Sequence, residues 1–249
     1  MPADGSGKGT PARPESVRYA GESMDWRKFD PSWARRPLAR FAREGILRGI
    51  LGPPIEYYTQ PRVVGLELFD GLKPPAIFIA NHSSHLDTPT ILRALPKDWR
   101  THTATIAAAD YFYKNRLVAS LVTLSFATIP IERGRGGLSK LTSERLAKLL
   151  SDKWNMLLYP EGTRSRTGKL GRMRSGAAFL AVEHSIPIVP IYLRGTHDAM
   201  PVGRPWPRKY PVTVFFGRAL YPAPGEDHRS LTLRVERALR QMRDEALAD

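Results

Sequence analysis

From residue 62 onward, short apolar runs of strand length alternate with stretches of helical period, and no other feature limits the possible folds so much. The expected strands are residues 63–69, 76–80, 103–107, 128–131, 156–159, 188–193 and 212–216. Helices are expected between them at 88–95, 115–126, 138–150 and 175–184, with a charged amphipathic helix from about Arg229 closing the chain. Strands separated by helical crossovers pair in parallel and take helices on the faces of their sheet. The expected fold class is therefore α/β: one domain with a central, mostly parallel or mixed sheet flanked by helices, plus an amphipathic helical element at the N-terminus.

Residues 1–28 are rich in Gly, Pro, Ser and charge, show no apolar period, and read as a disordered tail. They also lack the apolar core of a secretory signal. Residues 29–55 read as a helix or helix pair. At 100° per residue Trp33, Leu38 and Phe41 fall on one side, with Arg36 and Arg40 on the other. Two readings stay open: a helix packed on its own domain, or one lying in a membrane interface with its arginines toward lipid phosphates. Beyond Gly45 the apolar set Ile46, Leu47, Ile50 and Leu51 takes a different face, so a kink is expected there. Gly52-Pro53-Pro54 is expected to end the element. The folded domain is then expected to run from 56 to 249. Its longest strongly apolar uncharged run, 117–131, has 15 residues against the roughly 20 a spanning helix needs, and reads as a buried helix or a cavity wall.

The formal charge is +14, from 38 Lys and Arg against 24 Asp and Glu, which favours anionic partners. Residues 133–174 hold eleven Lys or Arg against three Asp or Glu but only Trp154 and Tyr159 as aromatics, too few to suit base stacking. No nucleic-acid partner is expected; an anionic phospholipid surface and phosphate-bearing substrates are. There are no cysteines, which excludes disulfides and thiol catalysis. Neither a G-x-S-x-G elbow nor a phosphate-cradling G-x-x-x-x-G-K loop occurs.

The chemistry concentrates where the strand AIFIA runs into Asn81-His82-Ser83-Ser84-His85-Leu86-Asp87. His82 and Asp87 would stand on different sides of a helix. In a turn after a strand, Asp87 could hold one ring nitrogen of His82 and leave the other as a base. Asp87 before Thr88-Pro89 equally suits a helix N-cap. A metal site from His82, His85 and Asp87 lacks a second ligand cluster, and no metal is expected. Two more polar clusters follow β-like strands: Ile131-Glu132-Arg133, and Tyr159-Pro160-Glu161-Gly162-Thr163-Arg164-Ser165-Arg166. Arginine's planar fork suits phosphate.

In order, NHSSHLD, Ile131-Glu132-Arg133, YPEGTRSR and Ile188-Val189-Pro190-Ile191 resemble the four sequence blocks of the glycerolipid acyltransferase family, whose best-known members include the bacterial 1-acylglycerol-3-phosphate acyltransferases. The resemblance covers about residues 60–220. The second block departs from the family's usual Phe-Ile-x-Arg with an upstream glycine. The resemblance implies an acyltransferase domain in which His82 is the general base and Asp87 orients it. It implies that Arg133, Glu161, Gly162, Thr163 and Arg164 form the acceptor's phosphate site, and that Val189, Pro190 and Ile191 wall the acyl pocket. The implied substrates are acyl-CoA or acyl-carrier protein and a lysophospholipid, with no cofactor, at the cytoplasmic side of the cell membrane as a peripheral protein.

Overall fold

The computed structural model describes residues 24–132 and 139–248. Seven strands form one sheet: β1 (Arg62–Val64), β2 (Ile77–Ala80), β3 (Thr103–Ala108), β4 (Ile129–Ile131), β5 (Asn155–Leu158), β6 (Ile188–Arg194) and β7 (Thr213–Phe216). Their spatial order is β1-β7-β6-β2-β5-β3-β4, and every pair is parallel except β6 with β7. The central strand β2, IFIA, is buried along its whole length, as a parallel strand covered on both faces must be.

Alternate side chains enter two cores. Ile77, Ile79, Met156 and Ile188 pack against helices Lys140–Ser151, Gly176–His184 and His228–Ala248 on one face. Phe78, Ala80, Leu157 and Val189 pack on the other face against Ile91 and Leu92 of helix Asp87–Ala94 and against Leu47 from the N-terminal segment. The last helix buries Leu231, Val235 and Leu239, one heptad-like stripe at four-residue spacing.

Several expectations change. The strand expected at 63–69 stops at Val64. Gly65 turns left-handed at φ 89°, and a Cβ there would also collide with the Phe216 carbonyl, so glycine suits the position twice over; Leu66–Phe69 follow as a 3-10 turn. At Gly45, where a kink was expected, helix Pro37–Gly45 runs into a π-helical turn, Ile46–Ile50. That wider turn re-phases the apolar stripe so that Leu47 enters the core. Gly52-Pro53-Pro54 opens helix Gly52–Thr59 rather than ending one, since first-turn prolines have no donor to lose. This helix spans the boundary expected at 55/56, and Leu47 packs in the sheet's core. Trp26–Lys28 form a 3-10 turn, and the Met24 amide donates to the Lys114 carbonyl, so the chain takes up structure before residue 29. Among the described residues, no helix is long and apolar enough to cross a membrane.

Candidate active site

The end of β2 is tied down by Asn81. Its amide donates to the Leu193 carbonyl (3.0 Å) and its carbonyl accepts from the Leu193 amide (2.8 Å), a two-point bridge to β6. The next residues turn away from the sheet, and Asp87 organises that turn from inside. Fully buried, its Oδ2 accepts from the amides of Ser83 (2.7 Å) and Ser84 (2.8 Å) and from His82 Nδ1 (2.8 Å). The alternative of Asp87 as a helix cap is thereby excluded: its carboxylate reaches back into the loop, not forward along helix Asp87–Ala94. Because an ionised carboxylate only accepts, Nδ1 is the ring nitrogen that donates to Asp87, which leaves Nε2 as the one turned to other partners.

The His82 ring stacks on Tyr159, with centroids 3.9 Å apart and planes 16° apart. The Tyr159 hydroxyl shares a 2.7 Å hydrogen bond with Thr88 Oγ1, and burial pushes its pKa well up, so it stays a neutral plate beside the imidazole. The backbone is fixed from the third cluster: Glu161 Oε1 accepts from the His82 amide (3.0 Å), Glu161 Oε2 accepts from the Gly171 amide (2.9 Å), and the Ser165 amide donates to the His82 carbonyl (2.7 Å). Burial raises the Glu161 pKa, opposed by these two amides. Glu161 therefore ties its own loop to the backbone at His82 and at Gly171.

A cavity of about 1330 Å³ opens at this point. His82, Gly162, Thr163 and Arg164 line it, as do Arg166 and Arg174, whose participation the sequence reading did not include. Gly162 has φ 75°, and its missing side chain leaves room for the Arg174 guanidinium, which a Cβ would approach to 3.1 Å. No spacing rule links Arg174 to the Tyr159–Arg166 segment; the Arg174 amide donates to the Pro160 carbonyl, and this closes the loop that brings it there. Arg164 donates to the Tyr111 hydroxyl (3.0 Å) and lies 5.2 Å over that ring, while Tyr111 also meets His85 Nε2 at 3.3 Å. Burial and the nearby Arg164 and His82 charges lower the His85 pKa to about 4. His85 turns to Tyr111, and among the described residues no three His, Asp or Glu groups converge as a metal site.

Other expected residues fall elsewhere. Val189 and Ile191 lie in the core facing helix Asp87–Ala94, Pro190 is buried between β2 and β7, and none of the three lines the cavity. The wall comes instead from the uncharged segment, through Val122, Phe126, Thr128 and Ile131. Arg133 lies outside the described residues. Trp33 and Arg40 are half-buried, Arg36 is exposed, and Leu38 and Phe41 are each 79% exposed.

A family model described as Acyltransferase matches residues 59–194, more than half of the chain and the whole of this site. The chain belongs to the acyltransferase family. It is similar to a 1-acyl-sn-glycerol-3-phosphate acyltransferase of Limnanthes douglasii, 32% identical over 143 residues, which are 57% of this chain and 49% of that one. It is also 31% identical over 125 residues to the 1-acyl-sn-glycerol-3-phosphate acyltransferase alpha of Ovis aries, covering 50% and 42% of the two chains. The acyltransferase thus spans about half the length of these relatives. Its fold matches the crystal structure of the 1-acyl-sn-glycerophosphate (LPA) acyltransferase PlsC from Thermotoga maritima, with a TM-score of 0.68, 21% identity, and 88% and 84% of the chains covered.

Proposed function

We propose that the protein moves a fatty acyl group from a thioester donor, acyl-CoA or acyl-carrier protein, to the free hydroxyl of 1-acylglycerol-3-phosphate. The observation that carries this reading is the His82–Asp87 pair at the mouth of a large, mostly apolar cavity rimmed by arginines. His82 Nε2 takes the proton of the acceptor hydroxyl as its oxygen attacks the thioester carbonyl. Asp87 stabilises the imidazolium that forms. The tetrahedral adduct collapses, the C–S bond breaks, and the thiolate recovers the proton from His82. Thiolate is a good leaving group, so no enzyme-bound acyl intermediate and no cofactor is required. A positioned base supplies about 10²–10⁴-fold, and alignment of the two substrates supplies more.

Arg164 and Arg174 suit the acceptor's phosphate, since guanidinium groups bind it through paired hydrogen bonds. The relatives named for 1-acylglycerol-3-phosphate support that acceptor. The exposed Leu38 and Phe41, beside basic residues, support peripheral attachment to an anionic phospholipid surface, on the cytoplasmic side of the membrane, where the substrates meet. The test is product analysis with labelled acyl-CoA, lysophosphatidic acid and competing lysophospholipids or glycolipids. Phosphatidic acid as main product, lost in His82→Ala, is expected. Preferential acylation of a competing acceptor would refute the acceptor assignment, and full activity of His82→Ala would refute the mechanism.

A further inference from the structure

Strands β2 and β5 pair in parallel with Ile79 opposite Leu158, so the residues leaving their C-terminal ends emerge side by side, about 4.8 Å apart. His82 leaves β2 and Tyr159 leaves β5. Pro160 disfavours a helical backbone at Tyr159, so the chain does not turn there into a helix. Tyr159 then meets both halves of the catalytic pair. Its ring lies against the His82 imidazole, and its hydroxyl shares the 2.7 Å bond with Thr88, the residue after Asp87. Burial and the nearby Asp87 charge keep the phenol protonated. Neutral aromatic pairs favour offset or edge-on contact with centroids about 4.5–7 Å apart. Here the centroids are 3.9 Å apart and the planes 16° apart, which puts the imidazole over the ring face, the side that attracts a cation.

Resting on the acyl-transfer reading above, we propose that Tyr159 is a positioning residue of the reaction: its bond to Thr88 fixes its ring, and that ring face holds the His82 imidazole and stabilises the imidazolium formed when His82 takes the acceptor's proton. The imidazole is neutral before that transfer and carries a full positive charge after it. The attraction of the ring face therefore grows along the reaction, and it lowers the barrier instead of tightening the binding of substrate. Asp87 acts on the same ring from a different direction, at Nδ1 and in the ring plane. The cation is held at its edge by a carboxylate and across its face by an aromatic ring, and the second contact survives any change that leaves the first intact.

The test compares Tyr159→Leu with Tyr159→Phe, reading kcat, KM and the pH dependence of kcat/KM with labelled acyl-CoA and lysophosphatidic acid. Tyr159→Leu removes the ring face. It should lower kcat by about two- to thirtyfold with both KM values little changed, and move the acid limb of the profile to lower pH by about 0.4–1.5 pH units. The other titratable groups beside the His82 ring are Asp87, Glu161 and His85, with Arg164 next to His85, and both variants leave them in place. Tyr159→Phe keeps the ring and should hold the acid limb where it is, with a smaller loss of kcat from the freed Thr88. The NMR signal of the His82 ring protons, assigned by its absence in His82→Ala, should move downfield in Tyr159→Leu and stay in Tyr159→Phe, because a stacked ring shields them. Tyr159→Met serves if the leucine variant does not melt cooperatively. An unmoved acid limb and ring signal in the ringless variant, or an equal loss in Tyr159→Phe, overturns the proposal while leaving acyl transfer standing. Wild-type protein that acylates no lysophospholipid overturns the function, and this proposal with it.

Discussion

The loop after β2 and the N-terminal helices treat polar and apolar groups in opposite ways. In the loop, Asp87 is wholly buried and accepts from the His82 ring and the Ser83 and Ser84 amides, while Glu161 accepts from the His82 amide. In the N-terminal helices an arginine, Arg43, is 2% exposed, its burial lowering the guanidinium pKa to about 10, while Leu38 and Phe41 stand in solvent. The loop is held within the folded chain: Asp87 Oδ2 gathers the His82 ring and two amides, although Asp87 Oδ1 is buried without a hydrogen-bond partner. The helices are stable on their inner side, where Arg43 clasps the Ala34 and Leu124 carbonyls, and unfinished on their outer side. Burying a charge stabilises only where partners are already positioned, and exposed large apolar groups in a cluster point to a second surface.

The sharpest way to break this contrast is to remove the base. His82→Ala should lower kcat by about 10²–10⁴-fold while thermal unfolding is nearly unchanged, because only the Asp87 bond and a stacked ring are lost. Next, Asp87→Ala should damage both activity and folding. It leaves an imidazole and two amides without an acceptor, at about 1–3 kcal/mol for each buried group, measured by denaturant unfolding. Glu161→Gln replaces one accepting oxygen with a donor against an amide. A fall in kcat of about tenfold to a hundredfold is expected, with KM for the acceptor little changed, since Glu161 acts through the His82 backbone. A KM effect alone would return Glu161 to the phosphate site.

The helices should answer differently. Arg43→Ala should cost about 2 kcal/mol, or roughly 4–8 °C in Tm, without altering the chemistry of the base. Leu38→Ser with Phe41→Ser should leave Tm unchanged and lower cosedimentation with anionic liposomes; unchanged binding would show that this face is not the lipid contact. The smallest effect concerns His85. Its folded pKa, about 4, lies below its free value of 6.5, so between those values the unfolded chain holds the proton and the folded chain does not. Acidification through that window should therefore weaken folding, and His85→Gln should flatten the fall in Tm below pH 6.5 slightly.

Much of the fold was legible because short-range pattern carries it. Continuous apolar runs predicted buried parallel strands, and all seven strands fall within or beside the expected spans. The spacing of His82 and Asp87 after a strand end left both a paired turn and a helix cap open, and the resemblance of the downstream blocks, in order, favoured the pair. Glu161 was legible as important, but its role was not. The amide it holds is 79 positions away in the chain, and a charged residue beside arginines reads as a ligand group when its partners cannot be seen. The core position of Val189 and Ile191 was hidden for a related reason: an apolar strand looks the same whether it faces a pocket or a core.

By itself, then, the sequence determined the α/β class and the order of the strands along the chain, both consequences of local period, and it brought His82 and Asp87 forward as candidates through their place after a strand and the family blocks around them. Tertiary structure alone decided that Asp87 faces back to His82, that Glu161 and Arg174 reach that loop, and that a π-helical turn carries Leu47 into the core. Each of these depends on which distant segments become neighbours, which follows from the packing of the whole sheet and not from any window of residues.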